Sequence, residues 1–190
     1  MFAGHFGLAA GVRAKSPKLP LWSLMLGTQL LDVAFVPLLL AGGETIDDSN
    51  GAGYGKAVIH ADYTHSLVGA LLLSFVAAWI ARRLWGNREG WILGGVVFSH
   101  WLLDLVVHRA DMPLLPGNWG NLPLLGLGAW RYEILSVALE LALLAGGFAM
   151  YARSALKRGG AEGRRAAIAS SAVLGVLLAG SLLTDVFGLF

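Results

Sequence analysis

Four ionisable side chains lie in one apolar stretch of the sequence, SHWLLDLVVHRADMP, which covers residues 99–113. They are His100, Asp104, His108 and Asp111, spaced four, four and three residues apart. On an α-helix these positions fall within an arc of about 80°, so all four share one face. Histidine nitrogen and carboxylate oxygen are ligands that divalent metal ions accept together. The spacing therefore predicts a metal-binding stripe that faces the interior of the protein.

Three further segments supply groups of the same kind. Asp32 lies within TQLLDVAF, His65 within ADYTHSLVG, and His5 within FAGHFG. At a rise of about 1.5 Å per residue, these side chains can reach depths similar to that of His100. The chain has no cysteine, which excludes thiolate ligands. We expect about one to three divalent ions, zinc first with manganese as an alternative, because one tetrahedral ion needs only four ligands. The six predicted ligands are His5, Asp32, His65, His100, Asp104 and His108.

Two carboxylates are candidates for the proton-transfer role that hydrolysis would need. Asp111 ends the stripe, and Glu133 stands near the outer end of a later apolar run. Either is predicted to act as a general base or to orient a ligand histidine. Two simpler interpretations stay open, because Asp111 also suits a helix end at the membrane surface and His5 also suits a surface position. His60, close to His65 in HADYTH, is not assigned to the site.

The elements that must position these groups are membrane helices. The chain of 190 residues is 56% hydrophobic and 14% charged, with a mean hydropathy of +0.66, whereas soluble domains carry about 25% charged residues. Each apolar run is close to the roughly 20 residues that cross a bilayer. We therefore predict one all-α integral membrane domain, residues 1–190, with about five transmembrane helices. The predicted spans are roughly 20–42, 63–85, 91–110, 131–152 and 166–187.

Basic residues predict the orientation of these spans. Clusters of lysine and arginine precede the first span, follow the second and follow the fourth, which is the same side in a five-span arrangement. The positive-inside rule then places the N-terminus in the cytoplasm and the C-terminus outside, in the inner (plasma) membrane. Residues 1–12 are too short to span, so we predict a short amphipathic helix on the surface or a re-entrant half-helix. A net charge of +2 does not suggest a nucleic-acid partner.

The motifs resemble those of the YdjM-like family of predicted membrane-bound metal-dependent hydrolases. That family pairs an early histidine, an LPD-type acidic motif, a THS motif and an HxxxD motif, and the resemblance covers roughly residues 1–115. Here the motifs correspond to His5, to LLD ending at Asp32, to His65, and to His100 with Asp104. Leu31 stands in place of the family's proline, and Ala34 in place of a second acid. The family is distantly similar to zinc-dependent phospholipases C, which implies phosphoester chemistry.

The predicted function is a metal-dependent hydrolase of the lipid bilayer, acting on a phosphoester or ester of a lipid or lipid-linked substrate. Two other classes of protein remain open. Intramembrane histidine and aspartate on one stripe also suit a protein that moves protons or cations. The chain could also be a scaffold or accessory subunit without chemistry, bound to other membrane subunits or to copies of itself. A tunnel that reaches both faces would favour transport, and a pocket closed on the cytoplasmic side would favour hydrolysis.

Overall fold

The computed structural model describes residues 2–47, 49 and 56–187, and most of them are helical. The helices of this part are α1 (Phe2–Lys15), α2 (Leu21–Thr28), α3 (Leu30–Leu40), α4 (Leu67–Trp85), α5 (Asn87–Val107), α6 (Glu133–Gly159) and α7 (Arg164–Phe187). Two short strands, β1 (Thr45–Asp47) and β2 (Val58–His60), form an antiparallel hairpin between α3 and α4. The segment between α5 and α6 contains two single 3₁₀ turns.

Four of these helices, α4 to α7, are long and apolar enough to cross a membrane. The pair α2 and α3 passes the same test as one span, although its two halves are bent by 52°. Their lipid-compatible surfaces are lined by exposed leucine, valine, isoleucine and phenylalanine, as expected when lipid replaces water as the solvent. The structure thus confirms an all-α membrane bundle with about five spans.

One end of the bundle collects the basic residues. The Ser154 hydroxyl of α6 donates to the Ala14 carbonyl of α1 at 2.9 Å, which brings the C-terminal ends of both helices together. The Trp22 and Trp85 rings lie 6.0 Å apart, so the start of α2 and the end of α4 belong to the same end. This basic end carries Arg13, Lys15, Arg82, Arg83, Arg88, Lys157, Arg158, Arg164 and Arg165. Its assignment to the cytoplasmic side stays a prediction.

Helix α1 is buried inside the bundle and does not lie on a membrane surface. It packs against α2, α6 and α7, with its Phe2 end directed away from the basic end. Gly7 permits this close packing, since a Cβ atom there would come within 2.5 Å of the Leu143 carbonyl oxygen of α6. The Asp185 carboxylate of α7 accepts the Ala3 N–H at 2.8 Å and so caps the deep end of α1. Of the two predicted alternatives, the structure therefore favours the inserted half-helix.

The bend between α2 and α3 occurs at Gln29, whose backbone leaves the helical region with φ −112° and ψ 9°. The Gln29 side chain donates to the Phe2 carbonyl at 3.1 Å and so ties the bend to α1. The bend turns the Thr28 carbonyl toward α5, where the His100 ring reaches it. The broken span thus leaves a backbone carbonyl without its helical partner inside the bundle. Such a carbonyl is tolerated there only where another protein group donates a hydrogen bond to it.

The chain between α5 and α6 folds back over the end of the bundle that lies opposite the basic end. The Leu67 N–H donates to the Pro113 carbonyl at 3.0 Å, and Met112 pairs with Leu125 in an isolated bridge. Helix α5 ends at Val107, so the prediction that Asp111 continues the same helical face is wrong. The backbone leaves the helical region at His108, with φ −59° and ψ 147°, and the carbonyls of Pro113 and Leu114 then accept the N–H groups of Leu67 and Val68 at the start of α4.

Candidate metal centre

Five of the six predicted ligands meet in one cluster in the half of the bundle away from the basic end. His5 lies in the first turn of α1, and Asp32 lies in the first turn of α3. His65 immediately precedes the N-cap of α4, and His100 and Asp104 lie one turn apart near the end of α5. Four separate segments therefore contribute one side chain or two each.

Asp32, His65 and His100 form the first of two groupings that are able to hold a metal ion. The two Nε2 atoms of His65 and His100 lie 3.2 Å apart. Asp32 Oδ1 lies 3.3 Å from Nε2 of His65 and 3.6 Å from Nε2 of His100. With ligand bonds of about 2.0–2.1 Å, the corners of a tetrahedron around zinc lie about 3.3 Å apart, so the three atoms fit three corners.

Asp104 joins this grouping to a second one, formed by His5, His100 and Asp104. Asp104 Oδ2 lies 3.0 Å from Nε2 of His100 and 3.7 Å from Nε2 of His65. The other oxygen, Oδ1, lies 3.2 Å from Nε2 of His5. The His5 and His100 rings stack in parallel with their centroids 4.0 Å apart. His100 and Asp104 are therefore the residues on which the whole cluster depends.

The cluster is buried on every side except that of Asp32. His5 and His100 are each 1% exposed, whereas the Asp32 side chain is 39% exposed. Nδ1 of His5 is buried and has no hydrogen-bond partner among the described residues. Two carboxylates and three histidines held in an apolar bundle cost several kcal/mol unless a partner satisfies them. The donor set and its burial fit a divalent cation.

The sixth predicted ligand, His108, lies beside the cluster and outside both metal groupings. Its Nε2 atom is 4.0 Å from Asp104 Oδ2. Its Nδ1 atom is 3.0 Å from Asp111 Oδ1, and its ring lies against Trp130 with the centroids 4.2 Å apart. Asp111 thus lies within hydrogen-bond distance of His108, and its predicted role at the site stays a prediction.

Glu133, the other predicted catalytic carboxylate, is not brought to the cluster. It is exposed in the first turn of α6, and no hydrogen bond or ion pair within the described part of the chain connects it to the site. His60 is likewise exposed, on β2 of the hairpin. Four of the five histidines of the chain therefore belong to the site or its edge, and His60 is the fifth.

Several groups that support the histidines were not predicted. The His100 ring donates from Nδ1 to the Thr28 carbonyl at 2.6 Å, so its Nε2 lone pair points into the cluster. Trp101 Nε1 donates to the His65 carbonyl at 2.8 Å. Glu44, 1% exposed, accepts a hydrogen bond from the Thr64 hydroxyl, which also contacts His65. Only the position of Thr64 beside His65 offered a sequence signal, because the other contacts join segments far apart in the chain.

The last residue of the THS motif begins α4. The Ser66 hydroxyl accepts the Gly69 N–H at 2.9 Å, which is the usual arrangement of an N-cap serine. Ser66→Ala is expected to lower the free energy of unfolding by about 1 kcal/mol, measured as a shift of the denaturation midpoint in detergent. Ser66→Thr keeps the hydroxyl, which also donates to the Tyr63 carbonyl at 2.8 Å, and is expected to stay closer to the wild type than Ser66→Ala. Equal destabilisation by both variants would contradict the capping role.

Comparison with known proteins assigns the chain to a family. The family model described as YdjM inner membrane protein matches residues 2–186. No curated protein and no solved structure matches the chain. The match includes α1, which carries His5, and extends through α6 and α7, whereas the sequence motifs cover only the part up to α5. The chain belongs to the YdjM inner membrane protein family.

Proposed function

We propose that this membrane protein is a metal-dependent hydrolase. The observation that carries the proposal is the grouping of Asp32, His65 and His100, whose ligand atoms lie 3.2–3.6 Å apart. Three protein ligands with a remaining position is the pattern of catalytic zinc sites, whereas structural sites use four. A divalent ion supplies such a site with a more acidic water and a polarised phosphoryl or acyl oxygen.

The residues of the cluster have different proposed roles in binding that ion. Asp32, His65 and His100 are its proposed ligands, zinc being the expected ion and manganese the alternative. Asp104 Oδ1 lies 3.2 Å from Nε2 of His5 and Asp104 Oδ2 lies 3.0 Å from Nε2 of His100, so Asp104 either completes the ligand set or fixes the orientation of those two rings. His5 adds a third imidazole from α1. The negative charge of the two carboxylates balances a divalent cation in a medium of low polarity.

His108 and Asp111 are the proposed proton-transfer pair. The Asp111 carboxylate accepts from Nδ1 of His108 at 3.0 Å, which leaves Nε2 of His108 free to accept a proton on the side that faces Asp104. This geometry favours His108 as the proposed general base and Asp111 as the residue that orients it. It gives Glu133 no part in the reaction, because Glu133 is exposed and has no contact with the cluster.

The proposed substrate is a phosphoester or ester of a lipid or of a lipid-linked molecule. The exposed edge of the site is Asp32 on α3, and the neighbouring side chains of that helix are apolar and exposed: Val33, Val36 and Leu40. An apolar surface next to the opening suits a substrate that approaches from the bilayer. With the basic end in the cytoplasm, the site would serve the outer half of the membrane.

Metal content and lipid hydrolysis test the proposal together. Wild-type protein purified without chelators is expected to hold about one zinc or manganese ion per chain by elemental mass spectrometry, and to hydrolyse a phosphoester lipid in detergent micelles. Asp104→Asn is expected to lower kcat/KM about 10- to 100-fold. Asp47→Asn removes an exposed carboxylate of the hairpin and is expected to leave both readouts unchanged. Wild-type protein that takes up no metal after supplementation would contradict the proposal.

A further inference from the structure

A buried carboxylate lies behind His65, on the side of the ring opposite Asp32 and His100. Glu44 stands just before β1 and is 1% exposed. Its Oε1 atom accepts the backbone N–H groups of Tyr63 at 2.9 Å and of Thr64 at 2.8 Å. Glutamate is rarely buried to this degree without partners that satisfy it. Glu44 is therefore held in place by the turn that carries His65.

The Thr64 hydroxyl links Glu44 to His65, and the two hydrogen bonds of this chain have only one consistent direction. A carboxylate accepts and cannot donate, so the single hydroxyl hydrogen of Thr64 points to Glu44, whose oxygens lie 3.0 and 3.1 Å away. The Thr64 oxygen is then an acceptor for Nδ1 of His65, at 3.0 Å. Neutral His65 consequently carries its hydrogen on Nδ1 and its lone pair on Nε2.

That tautomer matters because of what Nε2 of His65 faces. It lies 3.2 Å from Nε2 of His100 and 3.3 Å from Asp32 Oδ1. His100 already donates from Nδ1 to the Thr28 carbonyl, so its own Nε2 also presents a lone pair. Two lone pairs and a carboxylate oxygen therefore meet at one point. A cation can bind to all three of these acceptor atoms. A hydrogen on Nε2 of His65 would remove one of the lone pairs and so prevent His65 from binding the cation.

We propose that Glu44 is a positioning residue of the metal centre, which acts through the Thr64 hydroxyl to fix His65 in the tautomer that can bind a metal. The inference rests on the proposed function for its consequence, since a fixed tautomer increases metal affinity only if the site binds metal. Histidine ligands are commonly oriented by a carboxylate at the other ring nitrogen, and loss of that partner lowers metal affinity about 10- to 100-fold. Here one threonine hydroxyl stands between the carboxylate and the ring.

A simpler role for Glu44 would be to hold the turn at residues 63 and 64 through the two backbone N–H groups. The two roles predict different results for variants of Thr64. Thr64→Val keeps the shape and the backbone N–H but removes the hydroxyl, so a turn-holding Glu44 would leave His65 unaffected. Thr64→Ser keeps the hydroxyl and serves as the matched control. Glu44→Gln replaces one acceptor oxygen by an N–H₂ donor and tests the carboxylate itself.

The experiment reads the tautomer of His65 directly. Full-length protein with ¹⁵N-labelled imidazoles is prepared without metal in alkaline buffer, and the ¹⁵N shifts of His65, assigned from a His65→Gln sample, report which nitrogen carries hydrogen. The wild type and Thr64→Ser are expected to show hydrogen on Nδ1. Thr64→Val is expected to shift the population toward hydrogen on Nε2, and Glu44→Gln is expected to shift it less, because Oε1 stays within 3.0 Å of the hydroxyl. Thr64→Val is expected to bind zinc about 10- to 100-fold more weakly than the wild type.

The tautomer and the metal readouts separate the two proposals. An unchanged Nδ1 tautomer in Thr64→Val and in Glu44→Gln would overturn the positioning role, whatever metal the protein binds. A shifted tautomer in variants of a protein that takes up neither zinc nor manganese would uphold the positioning of His65 and overturn the hydrolase. If Thr64→Val fails to fold, Thr64→Ala decides instead, because it also lacks the hydroxyl and keeps the backbone N–H that Glu44 Oε1 accepts.

Discussion

His100→Ala is expected to give the largest loss of metal of any single substitution, from about one ion per chain to background. His100 is the one residue common to both metal groupings. Its Nε2 atom lies within 3.0–3.6 Å of His65, Asp32 and Asp104, so its removal opens a gap at the centre of the cluster. Elemental mass spectrometry of the purified variant measures the metal content. Hydrolysis of the phosphoester lipid, measured separately, is expected to fall by about 100-fold.

His60→Ala is the matched control for that substitution. His60 is the histidine of the hairpin, exposed on β2 and absent from both groupings. We expect the His60 variant to retain the metal content and the thermal stability of the wild type. If His60→Ala lost as much metal as His100→Ala, the bound ion would lie elsewhere and the assignment of the centre would be wrong.

Gly147→Ala is expected to give the largest loss of stability. A Cβ atom at this position would overlap the Gly7 carbonyl oxygen, which is backbone and cannot rotate away. Helix α1 would have to separate from α6, at a cost of about 3 kcal/mol if the overpacking follows that of other tight cores. The midpoint of thermal unfolding in detergent measures the change. Because α1 carries His5, we expect metal affinity to fall with it.

Gly146, the preceding residue, provides the control. An added Cβ there meets nothing within 4 Å, so Gly146→Ala alters the helix without touching α1. Alanine is the better helix former by about 0.5–1 kcal/mol, and this variant is expected to match or exceed the wild-type stability. Equal destabilisation by the two alanines would show that α1 does not pack against α6 as described.

The membrane helices and the core of the site were accessible from the sequence because both depend on local patterns. An apolar run of about 20 residues predicts a membrane-spanning helix, and residues four apart on a helix are predicted to lie on the same face. His100 and Asp104 satisfy both conditions, and the structure places them together as the centre of the cluster. Asp32 and His65 followed from their depth in neighbouring spans, and the structure brings them within 3.3 Å of each other.

The parts that sequence patterns missed depend on contacts between distant segments. Glu44 looks like an ordinary loop acid until the hairpin returns the chain to Thr64, twenty residues later. The Thr28 carbonyl is available only because α2 ends at this residue, and no residue type in the sequence predicts that the helix ends there. Asp111 was placed on the helical face because the helical spacing of the ionisable residues continues past Val107, although the chain leaves the helix there to cover the start of α4.

The buried position of α1 implies an order of events during synthesis. Fourteen residues span about 21 Å, too little to cross a hydrocarbon core of about 30 Å, so α1 gains a stable place only among its neighbours. Two of those neighbours, α6 and α7, are made late: the Ala3 N–H donates to Asp185, 182 residues further along the chain. A nascent chain in which α2 to α5 have been synthesised already contains Asp32, His65, His100 and Asp104. We expect it to acquire His5, and with it the finished centre, only after α6 and α7 have left the ribosome.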